Sequence, residues 1–286
     1  MGTSQSSNGS PSGVPMVPPW VPDVPLPPTS PEGGQPDSAP DDGEGQGAVT
    51  GAVPQQPIPV APSRRFGGAR RSLNDYAHSG DRTSMRRGVG RYVSKGYGGS
   101  ATATRRFGGT AQTAGALYSA LSGSNASNIY ATPGNQLDPI LMAGRSADRV
   151  MDAVVEAVRP VDGTQDTEAS RMSIKEALSE LLSRFPDADL LDLLEQQREF
   201  AIERYVAADI FRRFDLDLGK TIREKAPNAA TGLGRLKEVR EYIRETVAAS
   251  FRQLRDTGLL MAAGRVSQVV QRALHEAFQV FEGYAE

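Results

Sequence analysis

Cysteine is absent from the 286 residues, which removes disulfide bonds, thiolate nucleophiles and cysteine zinc sites as ways for this chain to fold or react. Histidine is scarce. His78 and His275 are too few to hold a metal unless carboxylates complete the set, and they read as a solvated loop histidine and a helix-surface histidine rather than ligands, so no metal and no cofactor are expected. No run of about 18 apolar residues is present to span a bilayer, and the first residues lack the basic stretch and apolar core of a signal peptide. The expectation is a cytoplasmic chain without a membrane partner. Tryptophan occurs once, as Trp20, and neither lysine nor arginine occurs before Arg64.

Prolines are crowded into one end. Residues 1–62 hold fifteen of the 20 prolines and nine of the 30 glycines, so this segment buries too little apolar surface to offset its ordering entropy, about 1–2 kcal/mol per residue. It is expected to be a disordered acidic tail. Within it, VPMVPPWVPDVPLPP (residues 14–28) alternates proline with apolar side chains, a pattern that favours an extended polyproline II strip. The strip reads either as linker with incidental hydrophobes or as a docking segment. Val17, Pro18, Pro19 and Trp20 are the candidate contacts, because exposed tryptophan is a common interface anchor.

The net charge of −2 conceals three zones: −6 over residues 1–62, +9 over 63–107 and −5 over 108–286. Arg64, Arg65, Arg82, Arg86, Arg87, Arg91, Lys95, Arg105 and Arg106 are the candidate contacts of the basic zone. Interleaved with Tyr76, Tyr92, Tyr97 and Phe107, they suit nucleic-acid phosphates and bases, and they equally suit an acidic protein or the acidic tail. One pentapeptide recurs in this zone. RRFGG stands at residues 64–68 and again at 105–109, too few copies for a solenoid.

Helical spacing dominates from there on. Met85, Val89 and Tyr92 suggest a short helix among glycines. Further stripes are Val150, Val154 and Val158; Ile174, Leu178, Leu181, Leu182 and Phe185; and Leu190, Leu194, Ala201, Tyr205, Ala208 and Phe211. Two more follow, Leu236 to Leu254 and Val266 to Phe281. Ser173 with Glu176, and Thr221 with Glu224, fit capping boxes, while Pro160 and Pro186 should stop the helices before them. Gly219-Lys220-Thr221 ends like a phosphate-binding loop, yet Phe214 stands where the first glycine belongs and no strand precedes it. No strand alternation is found. The fold class expected is all-α, in three parts: the tail (1–62), a basic Arg/Gly-rich segment with short helices (63–110) and a helical domain (111–286).

Three stretches, MGTSQSSNGSPSGVPMVPPW at the start, MRRGVGRYVSKGYGGSATATRRFGGTAQTAGALYSAL (85–121) and DLDLGKTIREKAP (215–227), together resemble the QatB family, the B component of the Qat anti-phage defence system. The resemblance implies a non-enzymatic protein acting beside an ATPase, a QueC-like enzyme and a TatD-like nuclease. It further implies that Gly2 is the modified residue, its amine joined to a 7-deazaguanine-type carboxylate by the QueC-like partner. The chemistry is compatible with this. Removal of Met1 before a small residue exposes an α-amine with a pKa of about 7.7–8, far more neutral at cellular pH than a lysine near 10.4. Gly2 with Ser6 also fits the myristoylation pattern, although the acidic surroundings would give one acyl chain little membrane hold. The alternative function is a nucleic-acid-binding subunit that uses residues 63–107 to bring a nuclease partner to phage DNA.

Overall fold

The computed structural model of the protein describes residues 65–122, 144–259, 261–262 and 264–286. Gly2, the strip with Val17, Pro18, Pro19 and Trp20, Arg64, and the polar segment 123–143 lie outside the described residues. In chain order the helices are α1 (Gly67–Ser79), α2 (Arg82–Arg91), α3 (Ser100–Arg106), α4 (Gly108–Ala120), α5 (Ala147–Val158), α6 (Gln165–Arg184), α7 (Glu195–Phe214), α8 (Lys220–Lys225), α9 (Ala229–Asp256) and α10 (Val266–Glu282). Two stretches of wider, π-type winding, Tyr92–Gly96 and Asp215–Gly219, follow α2 and α7. Among the described residues there is no strand, and the fold is all-α.

Helix boundaries follow local chemistry. Gly80, at φ 76°, ends α1 in the left-handed region, and Asp81 starts α2 by accepting hydrogen bonds from the Thr83 and Ser84 amides. Those bonds hold the Asp81 carboxyl below its ordinary range. Thr164 caps α6 and Asn228 caps α9 in the same manner, accepting from the amides of Thr167 and Thr231. Val158 and Arg184 are the last residues of α5 and α6, just ahead of Pro160 and Pro186 as expected.

Both expected capping boxes are wrong. Ser173 lies in the middle of α6, where its hydroxyl donates to the Ala169 carbonyl one turn back, and Thr221 lies inside α8, where Glu224 pairs instead with Lys220. The stripe that begins at Leu190 also needs correction. α7 starts only at Glu195, and Leu194, at its N-cap, is 70% exposed. Gln197 reaches back to accept from the Leu194 amide, so a side chain supplies the cap that leucine cannot.

The antiparallel pairing of α6 with α7 is visible in its ion pairs: Glu176 meets Arg212, whereas Glu180 meets Arg204. The 28-residue α9 packs against α7, α8 and α10, and α10 packs in turn against α3 and α4. The arginine-bearing helices α1 and α2 pair with each other, α1 also touching α8 and α2 touching α10. A single apolar cluster runs from Phe66 to Phe281, and the basic segment supplies Leu73, Tyr76, Val89, Tyr92 and Phe107 to it. The stripes on α9 and α10 face this core as their spacing predicts, with Val239, Ile243, Val247, Val270, Ala273 and Phe281 all buried.

Candidate functional site

Part of the basic segment is spent on the protein's own architecture. Arg87 Nε donates to the Glu286 carbonyl at 2.9 Å, and Arg91 bridges the Ala285 carbonyl (3.2 Å) and the Ser72 hydroxyl (3.0 Å). The Arg86 guanidinium lies over the rings of Tyr242 and Tyr284 at 5.7 and 5.3 Å. These three arginines therefore hold α9 and the C-terminal turn against α2. Arg105 donates to Thr102 within its own helix, while Arg82 and Lys95 are exposed.

The repeated RRFGG has a shared structural role. Phe66 and Phe107 are the residues that open α1 and α4, both are buried, and their rings pack against the same residue, Tyr97, at 6.1 and 5.5 Å between centroids. Arg65 and Arg106 each place a guanidinium over that Tyr97 ring, at 5.7 and 5.8 Å. The two copies thus converge on one aromatic side chain. The hydroxyls of Tyr92 and Tyr97 both donate to Asp217 in the second π-type stretch, at 3.0 and 3.3 Å, and Arg65 stands 3.9 Å from the other oxygen. Burial, with Tyr97 and Asp217 nearby, drives the Tyr92 phenol well above its ordinary pKa.

This arrangement corrects the expectation that the aromatics stack on bases. Tyr76, Tyr92 and Phe107 are 0%, 2% and 0% exposed, so their faces meet protein rather than solvent. Tyr97 is half-buried in the same cluster. His78 is exposed, in the last turn of α1 rather than in a loop, and half-buried His275 sits 3.5 Å from Thr104. Among the described residues no three His, Asp or Glu side chains gather as metal ligands. Gly219-Lys220-Thr221 lies where the second π-type stretch passes into α8, with no strand before it.

Two charged arrangements went unnoticed in the sequence. Asp209 on α7 is wholly buried and accepts from Thr110 at 2.6 Å and from Arg213 at 3.3 Å, and its other oxygen has no partner. Burial pushes its pKa up, and Arg213 opposes that rise. The second is a charged layer between α6, α7 and α9. Glu176 accepts from Arg212 and Arg240, and Glu180 pairs with Arg204, Arg240 and Arg244. One turn further along, this layer opens into a cleft of about 600 Å³ between Arg184 and Phe185, the start of α7, and Arg244, Arg252 and Arg255. A signal for the layer was present. Glu176 and Glu180, like Arg240 and Arg244, are spaced i,i+4 and so share a helix face.

The profile of the family described as "Qat anti-phage system associated protein QatB" matches residues 98–281. The chain belongs to the QatB family. Neither a curated protein nor a solved structure matches it. The QatB match takes in the second RRFGG, Asp209, Asp217 and the whole charged cleft, and it starts after α1 and α2. Membership places the protein in an anti-phage defence system whose other components are its partners. Among the described residues no helix is long and apolar enough to cross a membrane.

Proposed function

We propose that this QatB-family protein is a non-enzymatic adaptor of the Qat system, working in the cytoplasm, and the substrate of a QueC-like partner that modifies Gly2. The observation that carries the reading is the family match over α3 to α10, taken with the Met1-Gly2 start and the Pro/Trp strip beyond it. In the reaction, the neutral Gly2 amine attacks a 7-deazaguanine-type carboxylate that ATP has activated on the partner. The N–C bond forms, the bond to the activating adenylate breaks, and the amine's proton leaves to solvent. Thr3, Ser4 and Ser6 make a thin polar lead that fits a cleft, and Trp20 with Val17, Pro18 and Pro19 docks outside it. A strip already biased to an extended form loses less entropy on docking.

Intact mass of the protein, co-expressed with and without its QueC-like partner, tests this. The expected result is a mass increase confined to the peptide that begins at Gly2, abolished by Gly2→Pro and reduced by Trp20→Ala. An adduct on a lysine, or no adduct, overturns it. A second reading, recruitment of nucleic acid for a nuclease partner, is favoured by one observation: Arg70, Arg71, Arg82, Lys95, Arg105 and Arg106 keep exposed cationic side chains. Phosphate binding through them should weaken steeply with salt. No retention of DNA or RNA at low salt would remove that reading.

A further inference from the structure

The cleft beside the charged layer holds more positive charge than the fold consumes. Five arginines line it, Arg184, Arg204, Arg244, Arg252 and Arg255, against three glutamates, Glu180, Glu199 and Glu203. The acids are engaged: Glu180 pairs with Arg204 and Arg244 at 3.4 and 3.8 Å, and Glu199 with Arg255 at 3.6 Å. Glu203 stands 4.0 Å from Arg204, and burial lifts its pKa above the ordinary carboxylate range while the neighbouring arginines oppose the rise. Arg184 and Arg252 form no ion pair among the described residues. Arg252 does act electrostatically on Glu203, so what remains at this opening is a surplus of two arginines over glutamates.

We propose that this cleft binds a small phosphate-bearing ligand, gripped by Arg184 and Arg252 and flanked by Arg244 and Arg255. A guanidinium offers a planar fork of donors that matches phosphate oxygens bidentately, and a surplus of two positive charges matches a dianion. The ion pairs with Glu180 and Glu199 hold Arg204, Arg244 and Arg255 in place before a ligand arrives, so less side-chain entropy is lost on binding. Phe185 and Phe200, edge to face at 5.8 Å, form an apolar wall. The volume of about 600 Å³ suits a small molecule. A nucleic-acid strand fits less well, because Glu180, Glu199 and Glu203 interrupt the cationic track that a polyanion would follow.

Isothermal titration calorimetry on the full-length protein, with pyrophosphate and with a nucleoside triphosphate as probes, tests the site. The expected result is saturable binding of at least one probe, weakened tenfold or more in Arg184→Ala/Arg252→Ala and unchanged in Arg70→Ala/Arg71→Ala on α1. Arg184 and Arg252 are exposed and form no ion pair, so their removal should leave the fold intact, which circular dichroism and thermal melting would verify. Tighter binding of the triphosphate than of pyrophosphate, with the advantage lost in Phe200→Ala, supports the site and assigns it to a nucleotide. Equal binding supports the site and assigns it to free polyphosphate. No binding of either probe at millimolar concentration, equal weakening in both double variants, or binding of oligonucleotide alone overturns the proposal.

Discussion

Gly90 should resist replacement by alanine although it lies inside a helix. An exposed helix interior ordinarily gains about 1 kcal/mol from Gly→Ala, because alanine has less backbone freedom to lose. At Gly90 a methyl group would stand 2.6 Å from the Phe281 carbonyl oxygen, 2.7 Å from the Ala285 nitrogen and 2.8 Å from the Tyr284 carbonyl carbon. All three are backbone atoms, which no rotamer change can withdraw. Overpacking of this kind costs about 1–3 kcal/mol. With the cost at its upper end and the propensity gain subtracted, Gly90→Ala should lose about 2 kcal/mol, a fall of roughly 4–8 °C in melting temperature for a body of this size.

Two neighbours calibrate the result. At Gly88 the added methyl meets the end of the buried Leu73 side chain at 2.6 Å, and a side chain can shift, so Gly88→Ala should cost less than Gly90→Ala. Nothing lies within 4 Å of the corresponding position at Gly234 in α9, and Gly234→Ala should stabilise by up to about 1 kcal/mol. Thermal melts of the three variants supply the comparison, with hydrogen exchange at residues 284–286 as a local probe, since Gly90→Ala should loosen the bonds of Arg87 and Arg91 to that turn. A Gly90→Ala protein as stable as the wild type would refute the claim that α2 is glycine-bearing in order to approach the C-terminal turn.

Asp209→Ala should cost about 3 kcal/mol or more in urea unfolding, because it strips a buried charge pair of its acid and leaves Thr110 and Arg213 short of an acceptor; a loss below about 1 kcal/mol would show the pair to be incidental. Because Asp209 binds its proton more tightly folded than unfolded, stability should fall as pH rises through its elevated folded pKa, and wild type should gain on Asp209→Asn as pH drops from 7 towards 4; an opposite or flat trend in urea midpoints contradicts this. Tyr97→Ala removes the ring on which both RRFGG copies converge, so it should lower the melting temperature well beyond the effect of Tyr97→Phe, and equal effects would assign the role to the hydroxyl instead. Trp20→Ala should weaken binding to the QueC-like partner by about 2 kcal/mol without changing the melting temperature, as measured by calorimetry on the complex and melts of the free protein.

Periodicity carried the parts of the fold where one strong requirement acts alone. The stripes of α9 and α10 bury one helix face, and apolar spacing of three and four residues has no other common cause. Patterns with two physical solutions were not legible. A serine followed by glutamate three residues later satisfies a capping box, and Ser173 shows that it also satisfies a mid-helix hydroxyl bond to the carbonyl four residues back. Gly88 and Gly90 look like helix breakers in sequence, and in space they admit Leu73 and the C-terminal turn to the backbone of α2. The RRFGG echo was visible, but its meaning required Tyr97, which belongs to neither copy.

Charge was the least legible property, because a count of arginines does not say where their partners lie. The +9 segment looked open to a nucleic acid or an acidic partner, yet Arg65, Arg86, Arg87 and Arg91 are taken up by Asp217, two tyrosine rings and backbone carbonyls supplied from 120 or more residues away. The acidic-to-neutral remainder looked unpromising, yet α6, α7 and α9 bring five arginines and three glutamates to one cleft, where Arg184 and Arg252 form no ion pair. Uncompensated charge, rather than net charge, is what a ligand can use, since a guanidinium already bonded within the fold must break that bond before it binds anything else. The cleft and the basic helices can therefore be told apart by salt. A phosphate in the cleft replaces few counterions and should show a shallow dependence of affinity on ionic strength, whereas a strand bound along α1 and α2 should show a steep one.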